Sequence, residues 1–127
     1  MTTFDLEHTY LGIDGEGGVK SWPGGEAFWT MLDQTAAGDG TLVTVSVMTE
    51  DWAHWEMHPH GDEVLIGLEG TSEVIFQTPQ GDSHLTLAAG STLIVPAGVW
   101  HRGRHAEPAR ILFITYGRDT QHKPLRV

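Results

Sequence analysis

The chain has 127 residues, a formal charge of −10, seven Lys and Arg residues and no cysteine. This length suits one domain with a core of ordinary size, and the lack of cysteine excludes disulfides and thiolate metal sites. The scarcity of basic residues argues against nucleic acid and anionic membranes as partners. No apolar stretch could span a bilayer and no signal peptide is recognisable at the start, so we expect a soluble, cytoplasmic protein.

The first forty residues predict an irregular front end. Residues 11–25 hold six glycines and Pro23, which is typical of a loop. The following segment, EAFWTMLDQ at residues 26–34, predicts one or two helical turns. Three apolar side chains would share one face of that helix: Phe28, Met31 and Leu32.

From Thr41 onwards the sequence predicts short strands. Residues 41–49 alternate, with Val43, Val45 and Val47 on one side, as in a half-buried strand. Six more short segments follow, separated by turn signals: 52–58, 63–70, 72–77, 84–90, 91–96 and 110–117. We therefore predict an all-β fold, a sandwich or jelly roll. Residues 41–127 would form the barrel, and residues 1–40 an N-terminal extension packed on it.

A cluster of metal-capable side chains lies between residues 56 and 63. Its members are Glu56, His58, His60, Asp62 and Glu63, and His101 follows downstream. Carboxylate and imidazole are the ligands that a divalent metal takes when no thiolate is present. Alternate strand residues share a face, so His54, Glu56 and His58 should point the same way until Pro59 ends the strand.

These residues resemble the two signature motifs of the cupin superfamily. Glu63 followed by Gly70 fits the end of the first motif, and the second is matched at the required spacing by Gly90, Pro96, Gly98 and His101. The resemblance covers roughly residues 41–117. It implies a single-domain jelly-roll barrel that holds a divalent metal ion in its interior.

The first motif can be aligned in two ways. The pair His58 and His60 leaves two residues before Glu63, whereas Glu56 and His58 leave four. The resemblance thus implies a metal held by His58, Glu63 and His101, with either His60 or Glu56 as the fourth ligand. Such a set suits iron, manganese, nickel or zinc. If Glu56 is not a ligand, it is the best candidate for a general base.

The resemblance supports three hypotheses about function. The first is a metal-dependent enzyme on a small polar metabolite, of dioxygenase, isomerase or lyase type. The second is a binding or sensor module that holds a small molecule without turnover. The third is a barrel whose histidines and glutamates bond only to one another.

Two further expectations concern partners. The resemblance implies a homodimer, and the candidate contact lies in the N-terminal segment at Trp22, Phe28 and Trp29. A basic group also follows His101 and consists of Arg102, Arg104, Arg110 and His105. It could attract an anionic substrate, although we expect the arginines to pair with surface carboxylates instead.

Overall fold

The computed structural model describes residues 1–32 and 40–126, which form eleven strands and one short helix. In chain order the elements are β1 (Thr9–Ile13), β2 (Val19–Pro23), α1 (Glu26–Met31), β3 (Thr41–Met48), β4 (His54–Met57), β5 (Glu63–Glu69), β6 (Thr71–Thr78), β7 (Gly81–Ala88), β8 (Thr92–Val95), β9 (His101–Arg104), β10 (Ala109–Tyr116) and β11 (Gln121–Pro124). They build a six-stranded sheet, β2-β1-β3-β10-β5-β8, and a five-stranded sheet, β11-β4-β9-β6-β7. The predicted all-β fold of jelly-roll type is confirmed.

The main hydrophobic core combines inward-facing residues of the two sheets. Strand β5, and β10 as far as Phe113, alternate between buried and partly exposed positions, so that Leu65, Ile111 and Phe113 point inward. They pack with residues of β6, β7 and β8 in one cluster: Leu65, Val74, Phe76, Leu87, Val95, Ile111 and Phe113.

Strand β3 has the predicted alternation but the opposite phase. The three valines face away from the interior cavity, and Val47 is 47% exposed although Val45 is buried at 3%. The buried side chains on the inner face are Leu42 and Thr44, which line the interior cavity. Apolar residues occupy both faces of this strand, so the sequence alternation identified the strand without identifying its inner face.

The loop predicted at residues 11–25 was wrong, because β1 and β2 form an antiparallel hairpin there. Three of the six glycines, Gly15, Gly17 and Gly18, lie in its turn. The Asp14 carboxylate accepts hydrogen bonds from the backbone N–H groups of Glu16 and Gly18, and Gly17 takes a positive φ of 89°. Strand β1 also pairs with β3, so the hairpin extends the six-stranded sheet.

The predicted helix is present as α1, and its last predicted residues, 33 and 34, lie outside the described residues. Phe28 is buried against Tyr10 and Leu42, and Leu32 packs on the same cluster. Met31 is 51% exposed, so its predicted place on the packed face was wrong. The packed pair is four residues apart, which puts the two side chains one above the other on a helix. Within the described residues, no helix has the length and apolarity to cross a membrane.

Candidate metal centre

Three strands bring the four groups of the candidate metal centre together. Glu56 on β4 lies directly opposite His101, the first residue of β9, and Glu63 is the first residue of β5. His58 follows the end of β4. One ligand atom from each of the four residues Glu56, His58, Glu63 and His101 lies within 4.8 Å of the others. Residues separated by up to 45 positions thus converge because the jelly roll places these strand ends side by side.

Glu63 is the centre of this cluster. Its Oε1 lies 3.1 Å from His101 Nε2, and its Oε2 lies 3.3 Å from His58 Nε2. Glu56 Oε2 lies slightly farther from the same imidazole nitrogens, at 3.6 Å from His58 and 3.7 Å from His101. Two carboxylates and two imidazoles therefore surround one small volume.

The cluster leaves buried polar atoms without hydrogen-bond partners. His101 is 0% exposed, Glu63 3% and His58 5%. Among the described residues, His58 Nε2, His101 Nε2 and Glu63 Oε1 make no hydrogen bond. An unpaired buried polar atom costs roughly 1–3 kcal/mol. All three atoms point to the same place, so one bound cation would satisfy all of them, and the donor set fits a divalent metal.

Hydrogen bonds behind the rings select the ligand tautomer of both histidines. Thr120 Oγ1 donates to the Gly117 carbonyl (2.8 Å), and its remaining interaction with His58 Nδ1 (2.8 Å) must therefore be that of an acceptor. His101 Nδ1–H donates to the Val99 carbonyl (3.1 Å). With the protons of the neutral rings on Nδ1, both Nε2 lone pairs face the cluster, as metal coordination requires.

The two carboxylates are also held from behind. Thr115 Oγ1 donates to Glu63 Oε2 (2.6 Å), and His122 Nε2 lies 3.2 Å from Glu56 Oε1, in position to donate to it. Sequence reasoning missed these supporting residues, together with Thr120. Thr115 could have been found, because it lies two residues after Phe113 on the inner face of β10. Thr120 and His122 carry no sequence signal, since both follow a turn.

The charges of the cluster favour a bound cation. Burial opposes protonation of His58, yet the neighbouring Glu56 and Glu63 carboxylates raise its pKa to about 10. The metal-free ring is therefore protonated at neutral pH, and a bound metal would displace that proton from Nε2. Burial alone would raise the pKa of both carboxyls. The neighbouring imidazoles outweigh burial and hold the pKa of each carboxyl below its usual range, with His122 contributing most at Glu56 and His101 at Glu63. Both carboxylates thus remain ionised, and their two negative charges match those of a divalent cation.

The structure does not bring His60 to this cluster. Pro59 ends the strand, and the chain enters a turn in which the His60 ring faces outward. Its Nε2 lies 2.8 Å from Asp119 Oδ2, and the two side chains are 48% and 68% exposed. Asp62 is likewise occupied elsewhere, accepting a hydrogen bond from the Ala97 N–H (2.8 Å). Of the two candidates for a fourth ligand, the geometry favours Glu56.

The basic group after His101 lies away from the centre. Arg104 lies near Asp51 and Glu73, and Arg110 near Glu7 and Glu69, at 2.9 to 3.8 Å. Arg102 stacks over the Trp55 ring, with its guanidinium carbon 5.1 Å from the centroid. Arg104 and Arg110 therefore pair with surface carboxylates, as expected for a structural role.

A cavity of about 830 Å³ lies above the candidate centre. Glu56, His58 and Glu63 are part of its lining, and so are His54 and His122, whose rings contact edge to face at 4.7 Å. Much of the remaining wall is apolar and includes Trp29, Leu32, Leu42, Met48, Trp52 and Phe113. An apolar cavity with a few convergent polar groups is the usual form of a small-molecule site.

The comparison with protein families gives the same result for the fold. The family model described as Cupin domain matches residues 41–115. The chain belongs to the cupin family. No curated protein matches the chain.

Solved structures similar to this cupin include several bacterial proteins. A cupin-2 domain containing protein from Shewanella frigidimarina is 28% identical with a TM-score of 0.53, and the match covers 59% of this chain and 69% of that one. A Neisseria meningitidis protein is also 28% identical, with a TM-score of 0.52 and coverage of 59% and 72%. Hydroquinone 1,2-dioxygenase from Sphingomonas sp. TTNP3, solved with 4-hydroxybenzoate bound, is 19% identical with a TM-score of 0.51 and coverage of 62% and 63%. That last likeness shows the fold alone.

Proposed function

We propose that this cupin holds a divalent metal through Glu56, His58, Glu63 and His101 and acts as an enzyme on a small polar metabolite, of dioxygenase, isomerase or lyase type. The observation that supports this most strongly is the convergence of three buried, unpaired ligand atoms on one point beneath an open cavity. Unsatisfied buried groups of this kind are rare in native proteins, and one bound cation would account for all three. The hypothesis of a barrel whose histidines and glutamates bond only to one another predicts that Glu63 pairs with the two imidazoles, at 3.1 and 3.3 Å, without any metal. The elemental analysis below separates that hypothesis from the metal proposal.

The donor set suits iron, manganese, nickel or zinc, which would supply Lewis-acid chemistry or, for iron, reactivity towards dioxygen. The residues of the chain prepare the site for this metal. Thr120 and the Val99 carbonyl orient the two imidazoles, Thr115 orients Glu63, and His122 orients Glu56. The apolar wall limits water around a bound substrate, which strengthens every electrostatic interaction in the site.

Glu56 has a second candidate role. It is 23% exposed, more than the other three groups, and it forms part of the cavity wall. If three residues hold the metal and Glu56 does not, its carboxylate stands beside the substrate space and acts as general base.

One observation favours the alternative of a binding or sensor module without turnover. Four protein ligands would fill a tetrahedral zinc ion, whereas catalytic zinc sites usually keep one of four positions open. A six-coordinate iron, manganese or nickel ion would keep two positions for substrate. The identity of the metal therefore separates the two functions, with zinc held by all four groups favouring the binding module.

Elemental analysis of untagged protein tests the metal proposal. We expect near-stoichiometric metal in the wild type and its loss in His58→Ala and His101→Ala. The matched control is His84→Ala, because His84 lies half exposed on β7 and contacts Glu73 at 3.3 Å, away from the cavity lining. If the wild type takes up none of the four metals after reconstitution, or if His84→Ala loses metal equally, the proposal fails.

We also propose that the protein is a homodimer, joined through the outer face of the six-stranded sheet. Val43, Ile114, Val64 and Ile94 stand in register across four adjacent strands of this face, and Ile94 is 60% exposed. Val43, Val64 and Ile114 are half-buried, and a partly exposed apolar row of this kind suits an isologous contact between two copies. The N-terminal candidate is weaker, because Phe28 is already buried within the protomer.

Sedimentation at micromolar concentration tests the dimer. Ile94→Lys should give a monomer, because it puts a charge into the apolar row. Leu85→Lys is the control, since Leu85 is 47% exposed on the other sheet. A monomeric wild type would refute the dimer, and a dimer unaffected by Ile94→Lys would refute this interface.

A further inference from the structure

Arg118 is the one Lys or Arg residue among the described residues that line the large cavity, and it is an exposed residue that also lines a smaller depression beside His60 and Asp119. It lies in the turn between β10 and β11, on the same wall as the supporting residues of the candidate metal centre. The chain has only seven basic residues and a formal charge of −10. A guanidinium on the cavity wall of such an acidic protein is therefore the strongest local attraction for an anionic ligand.

Arg118 differs from Arg104, Arg110 and Lys123 because its guanidinium lacks a partner within the described residues. Arg104 and Arg110 pair with carboxylates, and Lys123 donates to Gln77 (2.7 Å) and lies over the Trp100 ring. Within residues 1–32 and 40–126, Arg118 makes no ion pair, hydrogen bond or ring contact. The adjacent carboxylate, that of Asp119, is bonded to His60. The Arg118 guanidinium thus keeps its hydrogen-bond donors for a ligand.

The turn that carries Arg118 is tied to the candidate metal centre. Thr120 Oγ1 donates to the Gly117 carbonyl and also contacts His58 Nδ1, each at 2.8 Å. One short turn therefore orients a candidate metal ligand and presents the arginine. Such coupling fixes the backbone that carries Arg118 relative to the floor of the cavity, which favours recognition of a ligand that reaches both.

The formal charges differ between the candidate metal centre, at the floor of the cavity, and the wall that carries Arg118. This difference indicates which end of a ligand faces the wall. Glu56 and Glu63 would neutralise a divalent ion, so the loaded centre has no net formal charge to attract an anion. The wall carries the Asp119 carboxylate, which is bonded to His60, and the unpartnered guanidinium of Arg118. A guanidinium matches a carboxylate with two parallel hydrogen bonds. The apolar wall, with Leu42, Met48 and Phe113, would cover an apolar body.

From these observations we infer that the cavity binds a small organic carboxylate with an apolar body, and that its carboxylate group pairs with Arg118. The inference deepens the proposed function and rests on it for the orientation of the rest of the ligand towards the metal. The pairing with Arg118 itself requires only the cavity and the unpartnered guanidinium.

Calorimetric titration with two matched pairs of probes tests this inference: benzoate against benzamide, and butyrate against butyramide. Each pair has nearly the same shape and differs in charge. We expect each carboxylate to bind the wild type about tenfold more tightly than its amide, as a charged hydrogen bond provides. Arg118→Gln should abolish this preference. Arg104→Gln should keep it, because Arg104 pairs with Asp51 and Glu73 outside the cavity.

The possible outcomes separate this inference from the metal proposal, provided that each titration is run on metal-loaded and metal-free protein. A carboxylate preference that survives Arg118→Gln, or no binding of either carboxylate to the wild type, would overturn the inference. A preference that depends on Arg118 in a protein that never takes up metal would support the inference while the metal proposal fails. Stoichiometric metal without any carboxylate preference would support the metal proposal and overturn the inference.

Discussion

Two histidines separated by one residue have opposite surroundings in this cupin. His58 is 5% exposed and points an unpaired Nε2 at two carboxylates and a second imidazole. His60 is 48% exposed, and its Nε2 contacts Asp119 at 2.8 Å. The motif implied His58 as a metal ligand in both alignments and left His60 open as an alternative to Glu56. Burial and unsatisfied hydrogen bonding distinguish them.

The two environments differ in what they need from a ligand. An exposed pair such as His60 and Asp119 contributes about 0–1 kcal/mol and is already satisfied. The buried atoms of the centre are costly in the metal-free protein, at roughly 1–3 kcal/mol for each unpaired group. A metal ion would therefore gain binding energy by satisfying the atoms of the buried centre. It would gain little at the exposed pair of His60 and Asp119.

The largest expected effect is on metal affinity, at the two candidates for the fourth ligand, Glu56 and His60. Glu56→Ala should weaken metal binding by more than about 100-fold, beyond the range that outer-shell partners cost, because it removes a ligand oxygen. His60→Ala should leave the affinity unchanged, since its ring is bonded to Asp119 away from the centre. Competition with a chromogenic chelator would measure both affinities.

The opposite result would make His60 the fourth ligand in place of Glu56. If His60→Ala lost the metal and Glu56→Ala retained it, the turn after Pro59 would have to rearrange on metal binding. If neither variant weakened binding, His58, Glu63 and His101 would suffice, and the general-base role would become the better account of Glu56.

Most of the barrel could be predicted from the sequence, because most strands alternate and end at glycine or proline turns. The exceptions have physical reasons. Strands β9 and β11 have the sequences HRGR and QHKP, which are too short and polar to show a hydrophobic period. The β1–β2 hairpin was hidden by glycines that serve its turn. In β3 the period was visible but its phase was not, since the interior there is a cavity lined partly by polar residues such as Thr44.

The candidate site was only partly predictable for a related reason. Strand alternation on β4 was enough to put His54, Glu56 and His58 on one face, and in the structure all three line the cavity. The direction of His60 depends on the turn after Pro59, which no strand period describes. Thr120 and His122 lie more than 60 residues after the residues that they support, His58 and Glu56. Only the fold brings them to the centre.

A smaller effect is expected at Thr120, which lies behind the centre rather than in it. Thr120→Val keeps the side-chain shape and removes the oxygen that accepts from His58 Nδ1. The ring then loses its orientation and its fixed tautomer, so metal affinity should fall by about 10- to 100-fold. The chelator competition that measures Glu56→Ala also measures this loss.

Thr86→Val provides the matched control, because Thr86 is exposed on β7 away from the cavity. It should bind metal like the wild type. Equal affinity of Thr120→Val and the wild type would mean that the hydrogen bond to His58 does not tune the metal, and the buried centre would then depend on its ligands alone.

The smallest expected effect is on the pH dependence of stability, at a third histidine, His105. This side chain is buried like that of His58, but its ring does not face a pair of carboxylates. Desolvation lowers the pKa of His105, only partly offset by the charge of Asp51, and its Nδ1 bonds to Ser72 Oγ at 2.9 Å. In the unfolded chain the ring titrates at its ordinary pKa. As pH falls through that value, the unfolded state binds the proton first, and the free energy of unfolding decreases.

Urea unfolding of the metal-free protein at about pH 7.5 and about pH 5.5 measures this contribution. His105→Gln cannot titrate, so it should lose less stability than the wild type on acidification, by at most about 1.4 kcal/mol per pH unit. Groups that titrate in both proteins, including His58, cancel in the difference. His84→Gln, at a half-exposed position, should keep the wild-type dependence. If His105→Gln showed the wild-type dependence as well, His105 would accept its proton in the folded state. Burial alone would then not keep His105 neutral. His58 and His105 would both accept a proton in the folded protein and would differ only in their pKa.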